Sequence, residues 1–156
     1  MSQLKSRRNQ SSAEFVNTAC KIHTETLGFL SRLSARYSRL LATDTIHLAD
    51  LVEDHTEQAN SMLPTDETRY KTRLHHLLEA RAALMALDKK LSKVYQVLMM
   101  NPEGAFAKDT EKKDAIRRID NMADSIGGMI DAENEMLRKL MDSDRERFKK
   151  AQRKKH

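Results

Sequence analysis

The side chains that could do chemistry here are six histidines, one cysteine and a few paired carboxylates. Asp44-x-x-His47 and His76-x-x-Glu79 each place a carboxylate and an imidazole one helical turn apart. At that spacing a helix presents both groups on one face, as metal ligands require. A carboxylate-bridged di-iron centre needs two Glu-x-x-His pairs and further glutamates, drawn from four helices. Neither pair here completes that set, so no metal is expected. Cys20 is the sole cysteine. It can form no intramolecular disulfide, and beside Ala19 and Lys21 it reads as a small, idle thiol. There is no Gly-rich phosphate loop, no His-Glu-x-x-His and no Cys-x-x-Cys. The expectation is a non-enzyme with no catalytic, cofactor or metal residues.

What remains is charge, and it is unevenly placed. The 156 residues carry 28 Lys and Arg against 23 Asp and Glu. Lys5, Arg7 and Arg8 give residues 1–10 a net +3. Arg145, Arg147, Lys149, Lys150, Arg153, Lys154 and Lys155 against Glu146 give residues 145–156 a net +6. Residues 11–144 are therefore net −4. Basic ends attract lipid headgroups, nucleic acid or acidic proteins.

The elements that must carry these charges are helical. Four Gly and two Pro are too few for the turns of a sandwich or barrel. No apolar run reaches a membrane span, and the N-terminus has no secretory pattern. A cytoplasmic protein, free or peripheral to a membrane, is expected. Leu63-Pro64-Thr65-Asp66 and Asn101-Pro102-Glu103-Gly104 break the chain. The spacing predicts an all-α, elongated, antiparallel three-helix bundle, coiled-coil-like. Its helices run over about 11–62, 65–101 and 105–152, between a disordered basic segment 1–10 and a basic tail 145–156.

Phe15, Ala19, Ile22, Leu30, Leu33, Tyr37, Leu40, Leu48, Leu51, Ala59 and Met62 form the first stripe. Thr26, Asp44 and His55 stand at its missing positions. Leu77, Leu84, Leu91 and Leu98 form the second, with Ala80, Leu87 and Val94 between them. Ile116, Ala123, Ile130 and Leu137 alternate with Ile119, Ile126, Glu133 and Leu140 in the third. Steps of three and four sustained this long form a helix–helix seam. Glu133 lies on a seam, so it needs a partner or sets register. Gly127-Gly128 marks either a bend or a close helix contact.

Folding such helices back places three basic groups at one level. These are Arg32, Arg36 and Arg39; Lys89, Lys90 and Lys93; and Lys112, Lys113, Arg117 and Arg118. With Lys149, Lys150, Arg153, Lys154 and Lys155 of the tail, they form the candidate anionic-surface site. The first helix also outreaches the second, leaving Phe15, Ala19 and Ile22 without an intramolecular partner. An exposed stripe of that kind predicts a two-fold dimer or a helical protein partner.

Three long antiparallel helices with basic patches resemble a BAR domain of the sorting-nexin type. Glu135-Met-Leu-Arg-Lys-Leu-Met-Asp-Ser-Asp-Arg-Glu-Arg-Phe-Lys-Lys is similar to the acidic-then-basic helix late in such domains. The resemblance implies a dimeric, non-enzymatic scaffold on anionic membranes, active in trafficking. Two alternatives stay open: a helical subunit of a cytoskeletal or trafficking complex, and a nucleic-acid-associated protein using its basic tail. Scarce aromatics and an acidic body argue against nucleic acid as the main partner.

Overall fold

The computed structural model describes residues 13–155; the charges of residues 1–10 lie outside the described residues. Every regular element among the described residues is helical: α1 (Glu14–Leu30), α2 (Ala35–Asn60), α3 (Glu67–Met100) and α4 (Lys112–Lys154). A single 3₁₀ turn, Pro102–Ala105, follows α3.

Proline acts where the sequence places it. Pro64 lies between α2 and α3, and Asp66 caps α3 by accepting from the Arg69 amide at 2.9 Å. Pro102 opens the 3₁₀ turn, and a further loop delays α4 to Lys112 rather than residue 105. The last helix continues to Lys154, so the expected basic tail is mostly helix.

The first predicted helix is two. Residues 31–34 break it, and Ser34 caps α2 through a long 3.5 Å bond from the Tyr37 amide. α1 then folds back on α2. His23 meets Asp50 at 2.6 Å, which a continuous helix would hold far apart. The three-helix expectation is thus corrected to four antiparallel helices. α1 packs on α2, α2 on α3, α3 on α4, and α4 on α1. Cross-helix pairs fix the register: His55 with His76, Tyr95 with Asp120, Arg81 with Asn134 and Arg73 with Asp144.

This reversal removes the expected overhang. Ala19 and Ile22 are buried in the bundle core, and Phe15 packs against it half-buried. The chain itself supplies the cover that a second copy was expected to give. The break also rotates the stripe on α2. Thr45, Ala49, Val52, Thr56 and Ala59 face inward, while Leu40 is 68% exposed. Thr45 and Thr56 tolerate burial because their hydroxyls donate to the Leu41 and Glu53 carbonyls. The second seam is buried as the heptads predict, from Leu77 to Leu98. Each such leucine contributes about 1.5–3 kcal/mol on leaving water.

Candidate functional site

Two connections, residues 31–34 and 101–111, meet at one end of the bundle and place its main polar feature. The 31–34 turn carries Arg32. The loop after the 3₁₀ turn carries Phe106, and the second turn of α4 carries Arg118. Both guanidiniums stack on the Phe106 ring, Arg32 at 4.8 Å and Arg118 at 4.2 Å from its centroid. The ring quadrupole offsets part of the repulsion between the two cations. Arg32 also donates through Nη1 to the Ala105 carbonyl at 3.4 Å, while its Nε is buried with no partner. The arrangement holds two positive charges in fixed positions, with guanidinium donors of the fork type that grips phosphate and carboxylate.

Other predicted cations join this end. Lys112, Lys113 and Arg117 stand exposed on the first turns of α4, and Arg36 and Arg39 on the first turns of α2. Arg117 pairs with Asp114 at 3.2 Å. Among the described residues, Arg36, Arg39, Lys112, Lys113 and Arg118 are in no ion pair.

The single-level belt is not what forms. The Tyr95–Asp120 bond sets Lys93 level with about residue 122 of α4, not 113. The loop before α4 is longer than the sequence suggests. Lys89, Lys90 and Lys93 are exposed, but lie about 13 Å along the axis from the Lys112–Arg118 group. Lys149, Lys150, Arg153, Lys154 and Lys155 are exposed at the far end of α4, about 46 Å from Arg118. The structure therefore groups the predicted cations at two ends and leaves the α3 lysines between them.

The histidines assemble differently from their sequence spacing. His55 of α2 and His76 of α3 meet Nδ1 to Nδ1 at 3.0 Å, with the His75 ring edge-on to both. One nitrogen must donate and the other accept, so the contact cannot form with both rings protonated. Burial holds His76 below its ordinary pKa; His55 and His75 add to that, and Glu79 opposes it. Asp44 and His47 are exposed on α2, about two turns from His55, so the two motifs do not converge. No group of three ligand-type side chains among the described residues could hold a metal ion. Cys20 is half-buried on α1.

Two acids of α4 lie inside the bundle. Asp144 accepts from Arg73 Nε at 2.6 Å, and Arg73 Nη1 donates to the Ala59 and Met62 carbonyls at the end of α2. Glu133 is fully buried, and neither oxygen has a hydrogen-bond partner among the described residues. Burial, then the nearby Glu14 carboxylate, push its pKa up to about 8. Of the two roles the sequence allows it, pairing or setting register, no pairing cation is found among the described residues. Phe106, Arg73 and Asp144 were missed by the sequence reading: each acts across helices whose register only the fold defines.

No family model, curated protein or solved structure matches the chain.

Proposed function

We propose that the chain is a non-enzymatic helical scaffold that engages anionic membrane surfaces, with the turn end of the bundle as its first contact. The observation that carries this is the pair of guanidiniums held on Phe106, where flexible surface cations would otherwise be free. Immobilised arginines lose less entropy on meeting phosphate than free ones. Arg36, Lys112 and Lys113 add unpaired charge beside them. The five far-end cations supply a second contact. From the BAR resemblance this keeps the anionic membrane and the trafficking role at a cytoplasmic surface. Ala19 and Ile22 need no second copy to cover them, because they are buried within the chain.

Co-sedimentation with phosphatidylserine vesicles tests it, beside neutral vesicles and a duplex DNA. Binding to the anionic vesicles alone should fall steeply with salt, since exposed charges are screened over about 8 Å at physiological ionic strength. Each Lys or Arg near such a bilayer is worth about 1 kcal/mol. Reversing Arg32 and Arg118 to Glu should weaken binding by more than tenfold. Changing Lys149, Lys150, Arg153, Lys154 and Lys155 to Gln should weaken it less. Truncation is the poorer test, because Phe148 stacks on Tyr70 at 4.4 Å and its loss would unpack the helix end. Wild-type binding by both variants, or binding to DNA alone, would overturn the proposal.

A further inference from the structure

Between α1, α3 and α4 lies a groove of about 230 Å³. Its floor is apolar: Phe29 of α1, and Ile126 and Ile130 of α4. Its rim is acidic: Asp88 of α3, and Asp120 and Asp124 of α4. In a chain of net charge +5, these three aspartates are in no ion pair among the described residues. Asp120 accepts a hydrogen bond from Tyr95 at 2.6 Å; Asp88 and Asp124 accept none among the described residues. The field they create is felt by Tyr95. The Asp120 bond, burial and the charges of Asp120 and Asp124 hold its phenol above the ordinary value.

Gly127 lines the same groove. A methyl group added there would meet no atom within 4 Å. The glycine therefore admits no close helix, which rules out one of the two roles its sequence position allows. Its absent side chain leaves the groove open.

We propose that this groove binds a small organic cation, an ammonium carried on a short alkyl or aryl body. The apolar floor takes the body, and the unpaired carboxylates take the charge. At about 230 Å³ the groove is smaller than the ~300–1,000 Å³ pockets of drug-sized ligands, which suits a short body of that kind. Net attraction needs both halves, because carboxylates at an exposed rim give only modest affinity by themselves.

The test titrates hexylammonium, hexanoate and hexanol into the full chain and follows amide shifts by heteronuclear NMR. Hexylammonium should give saturable shifts at Ala123 and Gly127, with a dissociation constant on the order of millimolar. The anion and the alcohol should bind at least about tenfold more weakly. Gly127→Leu fills the open space and should abolish saturation. Asp88→Asn with Asp124→Asn should weaken binding by roughly tenfold while leaving hexanol unchanged. Should the leucine variant fail to fold by circular dichroism, the double asparagine variant still decides the matter. Equal affinity for all three probes, no saturation by hexylammonium, or unchanged binding in the folded variants would overturn the proposal.

Discussion

Glu133 and Asp144 sit eleven residues apart on one helix, both almost without solvent exposure, and they solve burial in opposite ways. Asp144 stays beside Arg73, whose Nη1 also donates to the carbonyls of Ala59, in the last turn of α2, and Met62, just past it. That single arginine satisfies Oδ2 of the acid and ties three helices together, while Asp144 Oδ1 stays buried without a hydrogen-bond partner among the described residues. Glu133 has no paired cation among the described residues, and burial turns it into a neutral acid at physiological pH. The contrast shows that a charge inside a helical bundle is kept only where another element delivers its counterpart. At the Asp144 level the start of α3 delivers one. At the Glu133 level the charge that acts on it is the Glu14 carboxylate, of the same sign.

The largest way to break this contrast is to remove the cation. Arg73→Met should destabilise the fold by about 3–5 kcal/mol, because it strands a buried carboxylate and two helix-end carbonyls. Chemical denaturation would measure it. A loss under 1 kcal/mol would mean that Asp144 finds water instead.

Removing the other acid should do the reverse, in a pH-dependent way. The folded chain holds the Glu133 proton up to about pH 8, while the unfolded chain releases it near 4.5. Between those values the folded state binds more protons, so stability falls as pH rises, by on the order of 1.4 kcal/mol per unit. Glu133→Gln should flatten that fall and stabilise the protein at pH 8 more than at pH 5. Denaturation midpoints that keep the wild-type slope would show that the carboxyl reaches solvent.

His76 sharpens the comparison with a slope of the other sign. Its folded pKa lies below the unfolded 6.5, so its contribution is present above pH 6.5 and is lost as pH falls through that region. In the Glu133→Gln background this rise should become visible, and His76→Gln should remove it. The smallest effect is a baseline without titration. Gly128→Ala adds a methyl to an open position in α4 and should stabilise by about 0.5–1 kcal/mol at every pH. Thermal melts at two pH values would show whether the gain is constant.

Helices bounded by Pro64 and Pro102 were legible because proline acts locally. The Leu77–Leu98 seam was legible because its period is unbroken. The 31–34 reversal was not. It contains no proline or glycine, and Ser31, Arg32, Leu33 and Ser34 are tolerable in a helix. Its faint signals were Gly28 and the serine that becomes the cap of α2. The Leu40–Leu51 stripe ran on through the break, so the inward face of α2 was misread by one residue. The basic residues were legible as types, but their grouping depends on register, and the loop before α4 shifts that register by about nine residues. Phe106 could not be read as a clamp, because its two arginines come from elements 74 and 12 residues away.

Because four residues are all that return α1 to α2, they are also the hinge at which two molecules could trade a helix. Straightened, α1 and α2 become one rod of 47 residues, about 70 Å long. Ala19 and Ile22 would leave their slot in one bundle and fill the vacant slot of another. The exchange closes on itself as a two-fold pair and creates no new contact chemistry. Replacing Ser31 and Ser34 with alanine weakens the cap and favours the rod. The monomer fold and the exchanged dimer would then differ by the conformation of a single turn, and protein concentration would select between them.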